Sequence, residues 1–361
     1  MTDAEQELKK LREAIDALDA DLLGLINERA KIAQRIGKLK QGAIYRPERE
    51  AQVLRRVAET NPGPLTAMAA QRIVREVMSA CLALEQPLTV AYLGPAGTYS
   101  EAAAAKHFGA APTLLPCPSI DEIFRAVQAG TASYGIVPVE NSTEGAIART
   151  LDLLLSSPLM ICGEINLPIH HQLMGHADVQ SATQVFSHAQ SLAQCHEWLN
   201  HHLSSTVTRV AVASNAEAAR LAAQEKNALA IAGEKAAELY ALPILAANIE
   251  DDPGNTTRFV VIAEHDAGPS GNDRTSLICS AKNQPGAVYH LLAPLAEQGV
   301  SMSRFESRPA QHSWGGKRWE YVFYLDIDGH QQDAAVAAAL AALEQRADFV
   351  KHLGSYPKAV Y

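Results

Sequence analysis

Two groupings in this chain have the residue types and spacing to do chemistry. The first is Gly254-Asn255-Thr256-Thr257-Arg258-Phe259, a polar turn running into a β-branched, apolar segment, which reads as a turn feeding a buried strand. Hydroxyls and a guanidinium at a strand mouth can hold an anion. Strand alternation sends Thr257 and Phe259 to one face and Thr256 and Arg258 to the other, so Thr257 and Arg258 should not aim at one ligand. The plain alternative is the edge of an ordinary core strand. The second grouping is cationic. Leu11, Ile15, Leu18, Leu22, Leu25, Ile32, Ile36 and Leu39 follow steps of three and four, and the position they skip is Arg29. An arginine on an apolar seam needs an anionic partner. Lys40, eleven residues on, returns to nearly the same face roughly 16 Å along the axis, whereas Arg12 lies about 100° round the helix and roughly 25 Å away. Arg29 and Lys40 can therefore converge on one small dianion, and Arg12 reaches it only from a second copy of the helix. An antiparallel coiled-coil dimer with snorkelling cations explains the heptads but not the seam arginine.

The elements that position these residues follow from periodicity. The first helix breaks near Gly42 and Pro47. A second spans Glu48 to Thr60, stopped by Asn61-Pro62-Gly63-Pro64, and a third runs from Leu65 to about Glu85, with Cys81 and Glu85 on one face. From Thr89 onward, strand, polar turn and helix signals alternate. Examples are Tyr92-Leu93 into Gly94-Pro95-Ala96-Gly97-Thr98-Tyr99-Ser100, Val137-Pro138-Val139 into Glu140-Asn141-Ser142, and Val185-Phe186 into Ser187-His188-Ala189-Gln190. Such units imply α/β architecture with ligands at the strand carboxyl ends, here in two lobes, 88–166 with 248–266 and 167–247. The glycine turn is not GxGxxG, so a nucleotide site is poorly supported. After a linker over 262–273, the tail reads βαββαβ, the ferredoxin-like order.

The bulk numbers suit this division. A chain of 361 residues, 47% hydrophobic and 20% charged, is long for one core. Its net charge of −9 argues against general nucleic-acid binding, and no apolar run approaches the roughly 18 residues of a membrane span. A cytoplasmic address is expected. The five cysteines lack any CxxC pair, so neither a disulfide framework nor a zinc site is indicated, and His170-His171 and His201-His202 lack metal-ligand spacing. They read as solvated or structural.

Thr257-Arg258-Phe259, with the turns at Gly94–Ser100, Val137–Ser142 and Ser187–Gln190, resembles the motifs of prephenate dehydratases. The three helices resemble the all-helical chorismate mutases, through Arg12, Arg29, Lys40 and Arg49-Glu50. Gly286-Ala287-Val288 and Glu306-Ser307-Arg308-Pro309 resemble the phenylalanine-binding elements of ACT domains. Nearly the whole chain is thus similar to the bifunctional chorismate mutase/prephenate dehydratases. The resemblance implies an all-α mutase domain (1–87), an α/β two-lobed, periplasmic-binding-protein-like dehydratase domain (88–266) and an α+β ferredoxin-like ACT domain (274–361). It implies that Arg12 and Arg29 take the carboxylates of chorismate, Lys40 the ether oxygen and Glu50 the ring hydroxyl. Glu85, where glutamine can occur, serves there only when protonated. Arg49 and Cys81 contact substrate; Arg46 falls where aspartate is often found, and Cys81 where serine can occur. For prephenate it implies that Thr257 donates to the leaving hydroxyl, with Glu140, Asn141, Ser187, Gln190 and Arg258 around the substrate; strand alternation offers Arg258 the alternative of bracing the site. Ala189 and Val288 stand where proline and leucine are commoner. No cofactor or metal is required. Chorismate, prephenate and effector phenylalanine are the expected partners, without nucleic acid or membrane, in a homodimer or a pair of dimers. The competing reading, a metabolite-sensing transcriptional regulator, needs a helix-turn-helix within residues 1–60, where the chain offers one uninterrupted helix of some thirty residues.

Overall fold

The computed structural model describes residues 2–39, 45–281, 284–309 and 321–360. Asp3–Leu39 (α1) is one helix, with Asp3 and Glu5 in its first turn and Lys38 in its last, as the helix dipole favours. Only Ala33 of this helix is buried, and Leu11, Ile15, Leu18, Leu22, Leu25, Ile32 and Ile36 stand exposed. Pro47–Thr60 (α2) opens on a proline, whose missing N–H costs nothing in a first turn. Ala67–Ala83 (α3) is capped by Thr66, whose hydroxyl accepts from the Ala69 N–H. The α2–α3 hairpin lies on the body of the protein. Arg75 Nη1 donates to the Lys106 carbonyl (2.9 Å), and Glu76 and Ser79 accept from the N–H groups of Ala110 and Ala111. Among the described residues no helix is long and apolar enough to cross a membrane.

The central region then alternates as expected. A first lobe is built from Thr89–Leu93 (β1), Tyr99–Phe108 (α4), Thr113–Cys117 (β2), Ile120–Gln128 (α5), Tyr134–Asn141 (β3), Gly145–Ala146 (β4), Ala148–Ser156 (α6) and Met160–Pro168 (β5). The chain crosses to a second lobe with Gln172–Met174 (β6), Gln184–His188 (β7), Ala189–Gln194 (α7), His196–His202 (α8), Thr208–Val212 (β8), Asn215–Gln224 (α9), Ala228–Ala232 (β9), Glu234–Tyr240 (α10) and Ile244–Ala246 (β10). It returns as Thr256–Ala263 (β11), which inserts between β3 and β5. The two mixed sheets have orders β2-β1-β3-β11-β5 and β10-β6-β9-β7-β8. The lobes meet slightly later in the chain than the sequence pattern indicates. Thr256 pairs with Pro168, and the Ile169 N–H bonds the Asn255 carbonyl (2.8 Å), so the ladder carries both crossings to residues 169 and 255.

Asp273–Ser280 (β12), Ala287–Glu297 (α11), Met302–Pro309 (β13), Tyr321–Asp328 (β14), Ala334–Arg346 (α12) and Phe349–Pro357 (β15) follow in βαββαβ order. They form an antiparallel sheet ordered β13-β14-β12-β15. One face of this sheet packs on its own helices through Leu277, Leu291, Leu325, Leu340 and Leu343. The other face joins the first lobe's core through Ile278, Val322, Tyr324, Leu353 and Tyr356. Contact there is so close that a side chain at Gly354 (φ +133°) would collide with the Ile161 backbone. The segment read as a linker is likewise packed: Ala267 and Ser270 are buried, and Arg55 and Gln52 of α2 bond the carbonyls of Ser270 and Pro269.

Candidate functional site

At the carboxyl end of β3, Asn141 faces Thr257 across the strand pair. Its Nδ2 donates to Thr257 Oγ1 (2.9 Å) and to Asn255 Oδ1 (2.8 Å), while its Oδ1 accepts from the N–H groups of Thr143 (3.0 Å) and Glu144 (3.1 Å). All three side chains are buried. The arrangement has a chemical consequence. Asn141 spends both amide hydrogens, one on a lone pair of the Thr257 hydroxyl, so the Thr257 proton is left for another acceptor. Asn255 Nδ2 is buried and has no partner among the described residues, a second donor able to meet an anion. Asn255 was not singled out from sequence. Its signal was nonetheless present, since it stands two residues before Thr257 and shares its face.

Arg258 points the opposite way, as alternation requires. Its guanidinium bonds Glu164 (3.0 Å), Asp326 (2.5 Å) and the Tyr356 hydroxyl (2.9 Å). Burial alone would lower its pKa, but Tyr356, Asp326 and Glu164 more than offset this and raise it. Glu140, next to Asn141, also turns to the C-terminal sheet, with its Oε2 3.1 Å from Arg304 Nε. In the second lobe, Ser187 Oγ lies 2.8 Å from the Ile231 carbonyl and 3.0 Å from Asn215 Oδ1, fixing the end of β7, and Gln190 is half-buried in α7. The His170-His171 pair is structural and spans the crossing. His171 Nδ1 meets the Tyr99 hydroxyl (2.8 Å), its Nε2 meets Gln194 Oε1 (2.9 Å), and His170 Nδ1 meets Glu250 Oε1 (2.7 Å). In the glycine turn, the Gly97 N–H is taken by the Glu101 carboxylate (2.5 Å).

The helical candidates divide. Glu85 is half-buried against α1, where a methyl at Gly37 would lie 3.0 Å from Glu85 Cβ, so the glycine admits this approach. Cys81 is buried one turn earlier. Arg12, Arg29 and Arg49 are exposed, and Lys40 lies outside the described residues. Glu50 is instead drawn into the interface with the first lobe: its Oε1 accepts from Arg75 Nε (3.2 Å). That contact competes with the ring-hydroxyl role read for it from the resemblance. Burial raises its pKa to about 7, against the lowering by Arg75. Next to it, His107, bonded to the Tyr45 hydroxyl (3.0 Å), is held down to about 3 by burial and then by Arg75.

In the tail, Gly286 (φ +80°) caps α11, whose first turn carries Ala287 and Val288. Glu306, Ser307, Arg308 and Pro309 lie on β13, an edge strand of the sheet. Arg308 reaches back to Asp152 (3.3 Å) and the Ala148 carbonyl (2.9 Å) of α6.

Family models for chorismate mutase type II, prephenate dehydratase and the ACT domain match residues 11–86, 90–267 and 275–345. A bifunctional chorismate mutase/prephenate dehydratase of Neisseria gonorrhoeae is 53% identical over 97% of this chain and 96% of its own length. Among solved structures, prephenate dehydratase from Arthrobacter aurescens in complex with L-Phe is 33% identical, with a TM-score of 0.68 over 75% of this chain and 90% of that one. GqqA, described as a novel type of quorum quenching acylase, is 31% identical, with a TM-score of 0.68 over 75% of this chain and 98% of that one.

Proposed function

This chain belongs to the bifunctional chorismate mutase/prephenate dehydratases of phenylalanine biosynthesis, and from that premise we propose how its residues divide the two reactions. The dehydratase site is the Asn141–Asn255–Thr257 group. Prephenate loses carbon dioxide and its ring hydroxyl together, driven by aromatisation, so the protein need only orient the ring, bind two carboxylates and help the departing oxygen leave by hydrogen bonding or protonation. The Thr257 hydroxyl is the donor, and the observation that carries this reading is the Asn141 amide occupying its lone pair. Asn255 Nδ2 offers a hydrogen bond to a substrate carboxylate, and Gln190 belongs to the facing lobe. The mutase reaction is an intramolecular rearrangement that asks only for a compact conformer and for stabilisation of charge on the ether oxygen. Arg29, Lys40 and Glu85 of one copy and Arg12 of a second serve it, with Arg49 and Cys81 beside them. The exposed apolar stripe of α1 supports the homodimer this requires. Phenylalanine, the ligand of the Arthrobacter aurescens relative, is the feedback effector, taken up by Gly286-Ala287-Val288 and Glu306–Pro309 in the 274–361 domain.

Thr257→Ala is the direct test. Conversion of prephenate to phenylpyruvate is expected to fall by at least about a hundredfold, the usual contribution of a positioned proton donor. Chorismate consumption stays near the parent rate. Equal loss of both activities in a folded variant would overturn the division of labour.

A further inference from the structure

At one point of their pairing, β3 and β11 present two matched pairs to opposite faces. Thr257 lies opposite Asn141, and Arg258 lies opposite Glu140. The first pair forms the candidate dehydratase site, and the second meets the C-terminal sheet. There it finds another cross-strand pair, since Arg304 of β13 lies opposite Asp326 of β14. Arg258 Nη1 is 2.5 Å from Asp326 Oδ2, and Arg304 Nε is 3.1 Å from Glu140 Oε2. Two ion pairs thus join the strand pair to the C-terminal sheet, and with the two cross-strand registers they outline a square of alternating charge, one residue from each of four strands, Glu164 of β5 being a further partner of Arg258.

The square sits at an irregularity of the backbone pairing. The β3–β11 register slips between Arg258, opposite Glu140, and Phe259, opposite Pro138. Val139 is the extra residue of this bulge, and Pro138 has no N–H to give. The bulge separates the Asn141–Thr257 end from the regular part of the β3–β11 pairing, while β11 stays paired with β5 there and the Ser142 N–H bonds the Thr256 carbonyl, so side chains are left to set the finer placement of β3 against β11. Those of Arg304 and Asp326 are only 12% and 5% exposed, and Glu140 is 39% exposed; removing Asp326 takes one of two carboxylates from the buried Arg258 guanidinium, and removing Arg304 takes the cation facing Glu140.

We propose that Arg304 and Asp326 are positioning residues for the dehydratase: from the C-terminal domain, the square sets the placement of β3 against β11 and hence of Asn141 relative to Thr257. This rests on the reading of Asn141 and Thr257 as the dehydratase site. Arg304 stands two residues before Glu306 on β13, so a displacement of that strand is passed to the site through the same contact.

The test is a double-mutant cycle in the full chain, with both activities measured on each variant. Arg304→Glu is expected to lower dehydratase kcat by about tenfold to a hundredfold, as for a catalytic group misplaced by up to an ångström. Arg304→Gln gives a smaller loss, and KM and the mutase rate stay near parental values, which a merely structural role would not spare. Arg304→Gln together with Glu140→Gln is expected to lose less than the product of the two single losses, because the two side chains act through one contact. An unchanged dehydratase kcat, a parallel fall in both activities, or losses that simply multiply in the double variant would each overturn the proposal. Thr257→Ala separates the two levels. If it spares the dehydratase, the site reading fails; if it abolishes the dehydratase while the Arg304 variants keep full rate, only the positioning role fails.

Discussion

Glu50 shows how a single residue can tie stability to pH. Its carboxyl is desolvated where α2 meets the first lobe, and Arg75 compensates only in part, so it holds its proton up to about pH 7 when folded. An unfolded glutamate releases its proton near 4.5. The stabilisation is fully present below that value and is lost as pH rises through 7, because only the folded state still binds the proton in between. The melting temperature is expected to decline from about pH 5 to about pH 8, and Glu50→Gln to flatten this limb; an unaltered slope would assign it to another group. Glu50's partner was not legible in the sequence, where it reads as the second half of Arg49-Glu50, because Arg75 lies on a different helix. Alternation along β11, in contrast, was legible, and it separated Thr257 from Arg258 correctly. Asn255 obeys the same period and was overlooked for want of a visible partner, Asn141 being distant in sequence.

Among the elements, α1 was the most legible in extent and is the least satisfied in the structure. Its steps of three and four set a helix, observed over Asp3–Leu39, but the apolar stripe they describe faces outward. A seam of this length has a second copy as its natural partner. Subunits carrying Arg12→Ala or Arg29→Ala, each inactive as a mutase, are then expected to recover up to about a quarter of parental activity after mixing and exchange. Random pairing makes half the dimers mixed, each with one of its two sites intact. No recovery despite proven exchange would exclude a shared site. The strand and helix order of the central and C-terminal regions was also legible, because local pattern determines it. The packing of residues 264–272 was not: Gly268-Pro269-Ser270-Gly271 reads as loose by composition, and contacts distant in sequence, with α2 and with His330, Gln331 and Ser355, hold it.

For the whole molecule, the main feature is that the C-terminal sheet is buried on both faces, one of them against the first lobe. Deleting that domain would uncover the lobe's core, so a truncation confounds loss of effector with loss of stability. Ser307→Ala is the cleaner probe. The phenylalanine concentration for half inhibition is expected to rise by about tenfold, the worth of one well-made hydrogen bond, with uninhibited dehydratase activity retained; an unchanged inhibition curve would place the effector elsewhere. The two-lobed core has a further consequence. The second lobe leaves at Pro168 and rejoins at Thr256, and these residues are neighbours in the same ladder. The lobe therefore hangs from two adjacent crossings, bonded to each other at Ile169 and Asn255 and again at His171 and Ile249, and a swing taken up at Ile169 and Asn255 would bend both together. Asn255 is also a member of the Asn141–Thr257 group. Jaws that turn on their own cutting edge are armed only when shut, so parting them to let a ring out would unseat the donors in the same movement.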